Sequence, residues 1–232
     1  MNKIQIGDYL FYRSIYAPVE SNMYVLLDAQ EAIIIDSNIS PKLLTLFAEK
    51  EVHKVHLFLT HEHYDHTVGI SWLKENFNVT LYCHQSCSEG LSTKKRSSPR
   101  LVALVIADKD KKYGSNDLMD FKKNFVDFSH TAEVPFNEKL TIRIAAHTIQ
   151  CIHTPGHSPG SGIYILDNRF VFSGDSLLQG NKVITSFRGG CKEDFYQESL
   201  PILQNLPDDI VIMPGHGEPF RKKEFDFTQY NV

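Results

Sequence analysis

The heptapeptide at residues 60–66, Thr-His-Glu-His-Tyr-Asp-His, most constrains what this chain can fold into. It holds three histidines and two acidic residues directly after the mainly apolar run at residues 55–59. A buried strand that ends in such a loop presents imidazole and carboxylate groups within one small volume, and zinc and iron bind these donors in proteins. The alternative is a polar loop that is merely rich in histidine. The motifs farther along the chain favour a metal site over that alternative.

Four further turns each place one potential metal ligand directly after a predicted strand. They are Asp36, His157 in TPGHSPGS (residues 154–161), Asp175 in SGDS (residues 173–176) and His216 in PGHGEP (residues 214–219). Glycine lets the backbone approach a bound group closely, and binding residues gather on loops that a rigid scaffold holds. One Pro-Gly-His turn would be weak support, because a tight turn with a surface histidine has the same sequence. Four such turns beside residues 60–66 indicate a metal site.

The order of the predicted elements indicates an α/β architecture. Short strands fill residues 3–35. A helix that begins at Ser40-Pro41 then precedes a strand at residues 55–59, and a second helix at residues 68–76 precedes a strand at residues 79–82. Strands predominate later, at residues 140–145, 148–153, 162–166, 169–172 and 210–213, and a helix fits residues 193–203. Two strand-rich halves that each close with helices predict two sheets face to face, with helices outside.

The composition changes between about residues 86 and 133, where charged residues are dense and Ser97-Ser98-Pro99 breaks the pattern. Leu118, Phe121, Phe125 and Phe128 have helical spacing and predict an amphipathic helix over residues 116–128. We expect one domain over residues 1–232, in which residues 86–133 are an insertion. This insertion either packs on the body through its apolar face, or forms a lid or a dimer contact that walls the substrate pocket.

Charge and composition narrow the class of protein. The net charge of -4 and the pI of about 6.2 argue against a nucleic-acid or anionic-membrane partner. Four cysteines are too few and too scattered for a disulfide framework. The N-terminus lacks the apolar core of a signal peptide, and no window approaches the ~18 apolar residues that span a bilayer. We expect a cytoplasmic enzyme with a small-molecule substrate, which could form a homodimer.

Taken together, the motifs resemble those of the metallo-β-lactamase superfamily, and the strings TPGHSPGS and PGHGEP resemble its glyoxalase II-like branch of metallo-hydrolases. The resemblance runs from Asp36 to Pro219, with the motifs in the family's order. It implies an αββα sandwich, in which two mixed β-sheets lie face to face with helices on the outside and a metal site lies between the sheets.

The same resemblance implies a role for each motif residue. The implied ligands of a first ion are His61, His63 and His157, those of a second ion are Asp65, His66 and His216, and Asp175 bridges both. Asp36 would lie behind the ligands and orient one of the histidines. The implied cofactors are two divalent ions, Zn²⁺ first, with iron or manganese as alternatives.

The resemblance finally implies a hydrolase. Hydroxide formed between the two ions would attack the carbonyl of an acyl thioester, ester or lactone, and Asp65 would orient the water and accept its proton. Three alternatives remain open on the same fold: a mononuclear iron enzyme that resembles the persulfide dioxygenases, a phosphodiesterase or nuclease, and a non-catalytic metal-binding protein. The substrate itself is not predicted, because the loops that form the pocket walls decide it.

Overall fold

The structure, a computed structural model, describes residues 1–93, 96–125 and 127–230. Residue 126, inside the predicted helix at residues 116–128, lies outside the described residues, as do residues 94–95 and 231–232. The described strands form two sheets, and helices cover their outer faces. The predicted αββα sandwich is therefore confirmed.

The first sheet contains seven strands among the described residues, and they follow one another in sequence order. They are β1 (Asn2–Ile6), β2 (Tyr9–Tyr16), β3 (Ser21–Asp28), β4 (Glu31–Ile35), β5 (Lys54–Phe58), β6 (Val79–His84) and β7 (Val134–Phe136). Strands β1 to β4 pair antiparallel, whereas β4 to β7 pair parallel. Because parallel strands end at the same edge, Asp36 after β4 and residues 60–66 after β5 emerge side by side.

The second sheet contains six strands in the described part of the chain, also in sequence order. They are β8 (Lys139–Ile144), β9 (His147–His153), β10 (Gly162–Leu166), β11 (Phe170–Gly174), β12 (Val211–Pro214) and β13 (Phe220–Arg221). Only β11 and β12 pair parallel within this sheet as described, so Asp175 and His216, which follow them, emerge at one edge. The loop at residues 154–161 joins β9 to β10 at the same edge.

The helices lie between and after these strands. They are α1 (Lys42–Glu49), α2 (Tyr64–Thr67), α3 (Ile70–Asn76), α4 (Gln85–Thr93), α5 (Arg100–Tyr113), α6 (Asp117–Asn124), α7 (Lys192–Asp194) and α8 (Leu200–Gln204). A π-helical turn, Phe195–Ser199, joins α7 to α8, and short 3₁₀ turns follow at Lys222–Glu224 and Phe227–Tyr230. No helix among the described residues is long and apolar enough to cross a membrane.

The inserted segment differs most from its prediction. Its described residues form α4, α5 and α6 instead of a single helix, and α6 ends at Asn124 because Phe125 is extended. Phe121 and Phe128 are nevertheless both buried, and both contact the ring of Tyr64. Tyr64 lies in the loop at residues 60–66, which we call the metal-rich loop because it carries four of the predicted ligands. A smaller correction concerns α1: the pair Ser40-Pro41 predicts Ser40 at the N-cap and Pro41 at the first helical position, but Pro41 occupies the N-cap and no side chain caps the helix.

The core has one apolar layer between the sheets and one on each outer face. Phe11, Phe58, Tyr164 and Phe172 fill the middle layer, where all four are at most 2% exposed. Val102 and Ile106 of α5 join the outer layer on the first sheet. Apolar burial on this scale stabilises the sandwich at roughly 25 cal/mol per Å² and fixes the strand ends that carry the polar residues.

Candidate metal centre

All seven predicted ligands meet at the edge of the sandwich where the strand ends of both sheets converge. Three groups form there, in each of which the potential ligand atoms lie within 4.8 Å of one another. The groups are His61, His63 and His157; His61, His66 and Asp175; and Asp65, His66 and His216. Residues that are up to 155 positions apart, His61 and His216, thus share one small volume because both sheets end at this edge.

Asp175 lies between the two predicted ligand sets. Its Oδ2 is 3.5 Å from Nε2 of His157, whereas its Oδ1 is 3.5 Å from Nε2 of His66 and 3.6 Å from Nε2 of His216. Oδ2 of Asp65 in turn lies 3.3 Å from His66 Nε2 and 3.4 Å from His216 Nε2. The geometry therefore matches a bridging carboxylate between two groups of donors.

Buried polar atoms in this cluster lack hydrogen-bond partners among the described residues. They are Nε2 of His61, Nε2 of His66 and Oδ1 of Asp175. A buried polar atom without a partner costs about 1–3 kcal/mol, so a native structure seldom leaves three of them together. A pair of divalent ions would satisfy all three, and the imidazole and carboxylate donors suit zinc, iron or manganese. The residues present thus fit the metal ions that the sequence motifs imply.

Hydrogen bonds on the far side of each ring orient the histidines. Nδ1 of His66 lies 2.8 Å from Oδ2 of Asp36, Nδ1 of His157 lies 2.8 Å from the carbonyl oxygen of Ile184, and Nδ1 of His216 lies 3.1 Å from that of Val19. Each partner accepts, so each of these Nδ1 atoms carries a proton and each Nε2 atom faces the centre.

Asp36 is connected to a second ligand histidine through Thr60. Its buried carboxylate accepts hydrogen bonds from the Thr60 N–H at 2.7 Å and from the Thr60 hydroxyl at 2.8 Å. That hydroxyl lies 3.0 Å from Nδ1 of His61 and accepts its proton. Asp36 therefore lies behind both His61 and His66, in direct contact with His66 and connected to His61 through Thr60.

The electrostatics favour the protonation states that bind metal. Burial, together with neighbouring imidazoles, lowers the pKa of His61 well below its usual range and that of His63 to about 3, so both rings are neutral at pH 7. Burial alone would raise the pKa of Asp65, but His66 and His216 outweigh it and hold that pKa well below its usual range. Asp65 is therefore an anion. His61, His63 and Asp65 thus already have the protonation states that bind a metal ion and would lose no proton on binding one.

Burial would lower the pKa of His66, but Asp65 and Asp36 outweigh it and hold that pKa well above its usual range. In the metal-free protein this ring is therefore a cation, protonated on both nitrogens, between the carboxylates of Asp36 and Asp65. A divalent ion at Nε2 would take the place of that proton, so metal binding here would release a proton.

Glu62 lies between the predicted ligands His61 and His63, and its structural role was not predicted from the sequence. Its side chain is fully buried, with Oε1 2.7 Å from Nε of Arg96 and Oε2 accepting a hydrogen bond from the Ser158 hydroxyl at 2.8 Å. Gly90 and Gly160 make room for it, since a Cβ atom at Gly160 would lie 2.3 Å from Oε2. Glu62 therefore joins the metal-rich loop to the inserted segment and to the His157 loop.

A second set of missed residues supports the His216 loop from the first sheet. Asn22 donates hydrogen bonds to the carbonyls of Pro214 at 3.0 Å and Gly217 at 2.9 Å, and the Tyr24 hydroxyl also donates to Pro214. Arg13, nearly buried, donates to the Gly217 carbonyl at 3.2 Å. Polar residues within an otherwise apolar strand run are the only sequence signal for this support.

A cavity of about 270 Å³ opens onto the cluster, with His63, Asp65, Asp175 and His216 in its floor. Its walls are mainly apolar. They comprise Val19, Leu101, Val102, Val105, Leu178, Asn181, Ile184 and Phe187. Helix α5 of the inserted segment thus forms one wall of the cavity.

Known proteins resemble this chain in sequence and in fold. The model of the metallo-β-lactamase superfamily matches residues 16–216. The probable metallo-hydrolase YqgX of Bacillus subtilis is 26% identical over 202 residues, which are 86% of either chain. The hydroxyacylglutathione hydrolase GloC of Haemophilus influenzae is 26% identical over 192 residues, 82% of either chain. The crystal structure of the BLEG-1 B3 metallo-β-lactamase superposes with a TM-score of 0.69 at 25% identity, covering 92% of this chain and 95% of that one.

Proposed function

Since the chain belongs to the metallo-β-lactamase superfamily, we propose that it is a dinuclear metal-dependent hydrolase of acyl thioesters, esters or lactones. The observation that carries the proposal is the position of Asp175, whose two oxygens face His157 on one side and His66 and His216 on the other. A carboxylate so placed is suited to two ions that share it. Two relatives, a probable metallo-hydrolase and a hydroxyacylglutathione hydrolase, support the same reaction class.

The two ligand sets divide the donors between the ions. His61, His63 and His157 would hold one ion through three nitrogens, and Asp65, His66 and His216 would hold the other through mixed nitrogen and oxygen donors. When bound, such ions supply Lewis acidity that acidifies water and polarises a carbonyl oxygen. We assign Zn²⁺ first, because neutral imidazole and carboxylate are its usual ligands, and iron or manganese second.

The chain's own residues then position the reactants. Asp65 lies in the cavity floor as an anion, where it orients a water molecule and accepts its proton. Asp36 and Thr60 keep His66 and His61 in the orientation that presents Nε2. The apolar walls exclude bulk water and hold the acyl group of the substrate against the floor.

The complete second ligand set favours this hydrolase over a mononuclear oxygenase. A single iron held at the positions of His61, His157 and Asp175 does not require Asp65, His66 and His216 as ligands, yet the donor atoms of these three residues lie within 4.8 Å of one another. A nuclease would need a basic surface for a polyanion, which the net charge of -4 does not favour.

The test is hydrolysis by protein loaded with Zn²⁺, Fe²⁺ or Mn²⁺, measured on a panel of acyl thioesters, esters and lactones. We expect turnover of at least one class, and its loss in His61→Ala and Asp175→Ala. Asp65→Asn should retain more metal than Asp65→Ala and still lose most of kcat, because the amide cannot accept a proton. His53→Ala is the matched control, since His53 is exposed and belongs to none of the three ligand groups. One tightly bound iron with oxygen consumption on a persulfide would contradict the proposal.

A further inference from the structure

A second cavity, of about 440 Å³, adjoins the cavity over the metal centre. The two share His63, Leu101 and Phe187 as a common wall. The remaining lining consists of Arg96, Ser98, Arg100, Leu104 and Arg188. Among the described residues no carboxylate lines this cavity, although the chain as a whole carries a net charge of -4. Three guanidinium groups therefore gather beside the metal centre, against the overall charge of the protein.

The three arginines do not contribute equally to this positive charge. Arg96 contacts the buried carboxylate of Glu62 at 2.7 Å, which fixes its position and balances its charge. Arg100 and Arg188 are exposed and form no ion pair with any other described residue. The excess positive charge in the cavity therefore comes from Arg100 and Arg188.

Two separate segments combine to build the cavity. Arg100 begins helix α5 of the insertion, so the positive end of a 14-residue helix adds to the local potential. Arg188 belongs to the segment after Asp175, and its neighbour Gly189 packs so closely that a Cβ atom there would lie 3.2 Å from Cδ of Arg96. The cavity is thus a product of the insertion and of a loop from the second sheet, which meet over the metal-rich loop.

We propose that this arginine cavity binds an anionic group of the substrate, a carboxylate or a phosphate, while the acyl carbonyl lies over the metal centre. The substrate class is then an acyl thioester, ester or lactone that carries such a group on its acyl or its leaving side. The planar fork of arginine matches both anions through paired N–H donors. This inference rests on the proposed hydrolase function for the position of the carbonyl, but the anion site itself stands on the arginines.

Matched thioesters test the proposal. Butanoyl thioesters of N-acetylcysteamine, 3-mercaptopropionate and 2-mercaptoethyl phosphate differ in the charge of the thiol, and the succinyl thioester of N-acetylcysteamine places a carboxylate on the acyl side. We expect kcat/KM for at least one charged thioester to exceed that of the neutral one by roughly 10-fold or more, which is the range for a hydrogen-bonded charge. The preferred thioester identifies the anion and the side on which it lies.

The double variant Arg100→Gln/Arg188→Gln should lower the ratio of kcat/KM for the charged thioester to that for the neutral one towards one. Arg143→Gln is the control, because Arg143 is an exposed arginine on β8, and it should keep the wild-type preference. Equal kcat/KM values for charged and neutral thioesters in the wild type, or an undiminished preference in the double variant, would overturn the proposal.

A binding measurement separates this proposal from the hydrolase proposal. The corresponding thioethers, S-butyl for the butanoyl thioesters and S-(3-carboxypropyl) for the succinyl thioester, cannot be hydrolysed, and calorimetry on chelator-treated protein reports their binding without any reaction. We expect the charged thioether to bind the wild type at least roughly 10-fold more tightly than the double variant, with an affinity that falls as salt rises. If no thioester is hydrolysed but this difference is found, the hydrolase proposal fails and the anion site stands. If the thioether does not discriminate, the anion site is wrong whatever the enzyme hydrolyses.

Discussion

The carboxylate of Glu62 contacts the guanidinium of Arg96 at 2.7 Å, and this ion pair connects the inserted segment to the metal-rich loop. Glu62 is fully buried between two predicted ligands, His61 and His63, whereas the Arg96 side chain is 23% exposed at the cavity mouth. Burial raises the pKa of Glu62, and Arg96 and the Ser158 hydroxyl oppose that rise. The pair connects the metal site, which determines the chemistry, with the segment that forms the pocket wall.

Glu62→Gln should destabilise the protein, because it removes one partner of a buried ion pair and leaves the guanidinium without its counter-charge. We expect the free energy of unfolding to fall by about 3 kcal/mol in chelator-treated protein. Denaturant unfolding measures this change, with Glu75→Gln on α3 as an exposed control that should change little. A loss below about 0.5 kcal/mol would show that the pair contributes no net stability.

Asp36→Asn should weaken the second ion more than the first. The amide keeps the shape of Asp36 but removes the negative charge that stabilises the His66 Nδ1 proton at 2.8 Å. Partners of this kind typically change metal affinity by about 10- to 100-fold. Competition with a chromophoric chelator measures both affinities, and the exposed Asp8→Asn is the control. Equal weakening of both ions would instead indicate that Asp36 supports the whole loop.

Gly215→Ala should displace the bridging carboxylate. A Cβ atom at Gly215 would lie 2.4 Å from Oδ1 of Asp175 and 2.9 Å from Cε1 of His66, so at least one of these groups must move. We expect fewer than two ions per chain by elemental analysis. Gly114→Ala is the control, because no atom lies within 4 Å of its Cβ position, and it should keep the wild-type metal content while losing about 1 kcal/mol of stability. Full metal content in Gly215→Ala would contradict the tight packing around Asp175.

The free energy of unfolding of the metal-free protein should fall as the pH is lowered, because His84 takes up a proton more readily in the unfolded chain than in the folded protein. This ring stacks on His153 with centroids 3.7 Å apart, and burial together with His153 lowers the pKa of His84 to about 4. The unfolded chain binds a proton at about pH 6.5, so between that pH and about 4 only the unfolded state takes it up. Stability is therefore full above pH 6.5 and is lost as the pH falls towards 4.

The variant His84→Asn isolates this contribution. Asparagine can still accept the Ser86 N–H bond that His84 accepts at 3.2 Å, but it does not titrate. The slope of unfolding free energy against pH should therefore decrease by up to about 1.4 kcal/mol per pH unit, the limit for one proton. An unchanged slope in His84→Asn would show that this ring does not titrate in the window.

The sequence was most informative where chemistry follows the end of a strand. Asp36 and residues 60–66 could be placed at one sheet edge because the alternation of strands and helices implied parallel strands. Asp175 follows a strand of the other sheet, and its place beside them was implied by the resemblance to the metallo-β-lactamase superfamily. The pairing of Glu62 with Arg96 could not be predicted, since it joins residues 34 positions apart through a loop whose course depends on packing.

The inserted segment shows the same limit. Leu101, Val102, Val105 and Ile106 have the spacing of a helix, yet the charges that follow them obscured α5. The predicted helix at residues 116–128 was too long because Phe128 reaches Tyr64 from extended chain rather than from a helix. Local periodicity cannot distinguish these two ways to bury a phenylalanine, because tertiary contacts decide between them.

Anomalous diffraction from crystals grown with Zn²⁺ tests the central claim most directly. We expect two peaks in each chain, about 3.5–4 Å apart, one bound by His61, His63 and His157 and the other by Asp65, His66 and His216, with Asp175 contacting both. A single peak, or a second peak away from Asp65, His66 and His216, would contradict the dinuclear centre.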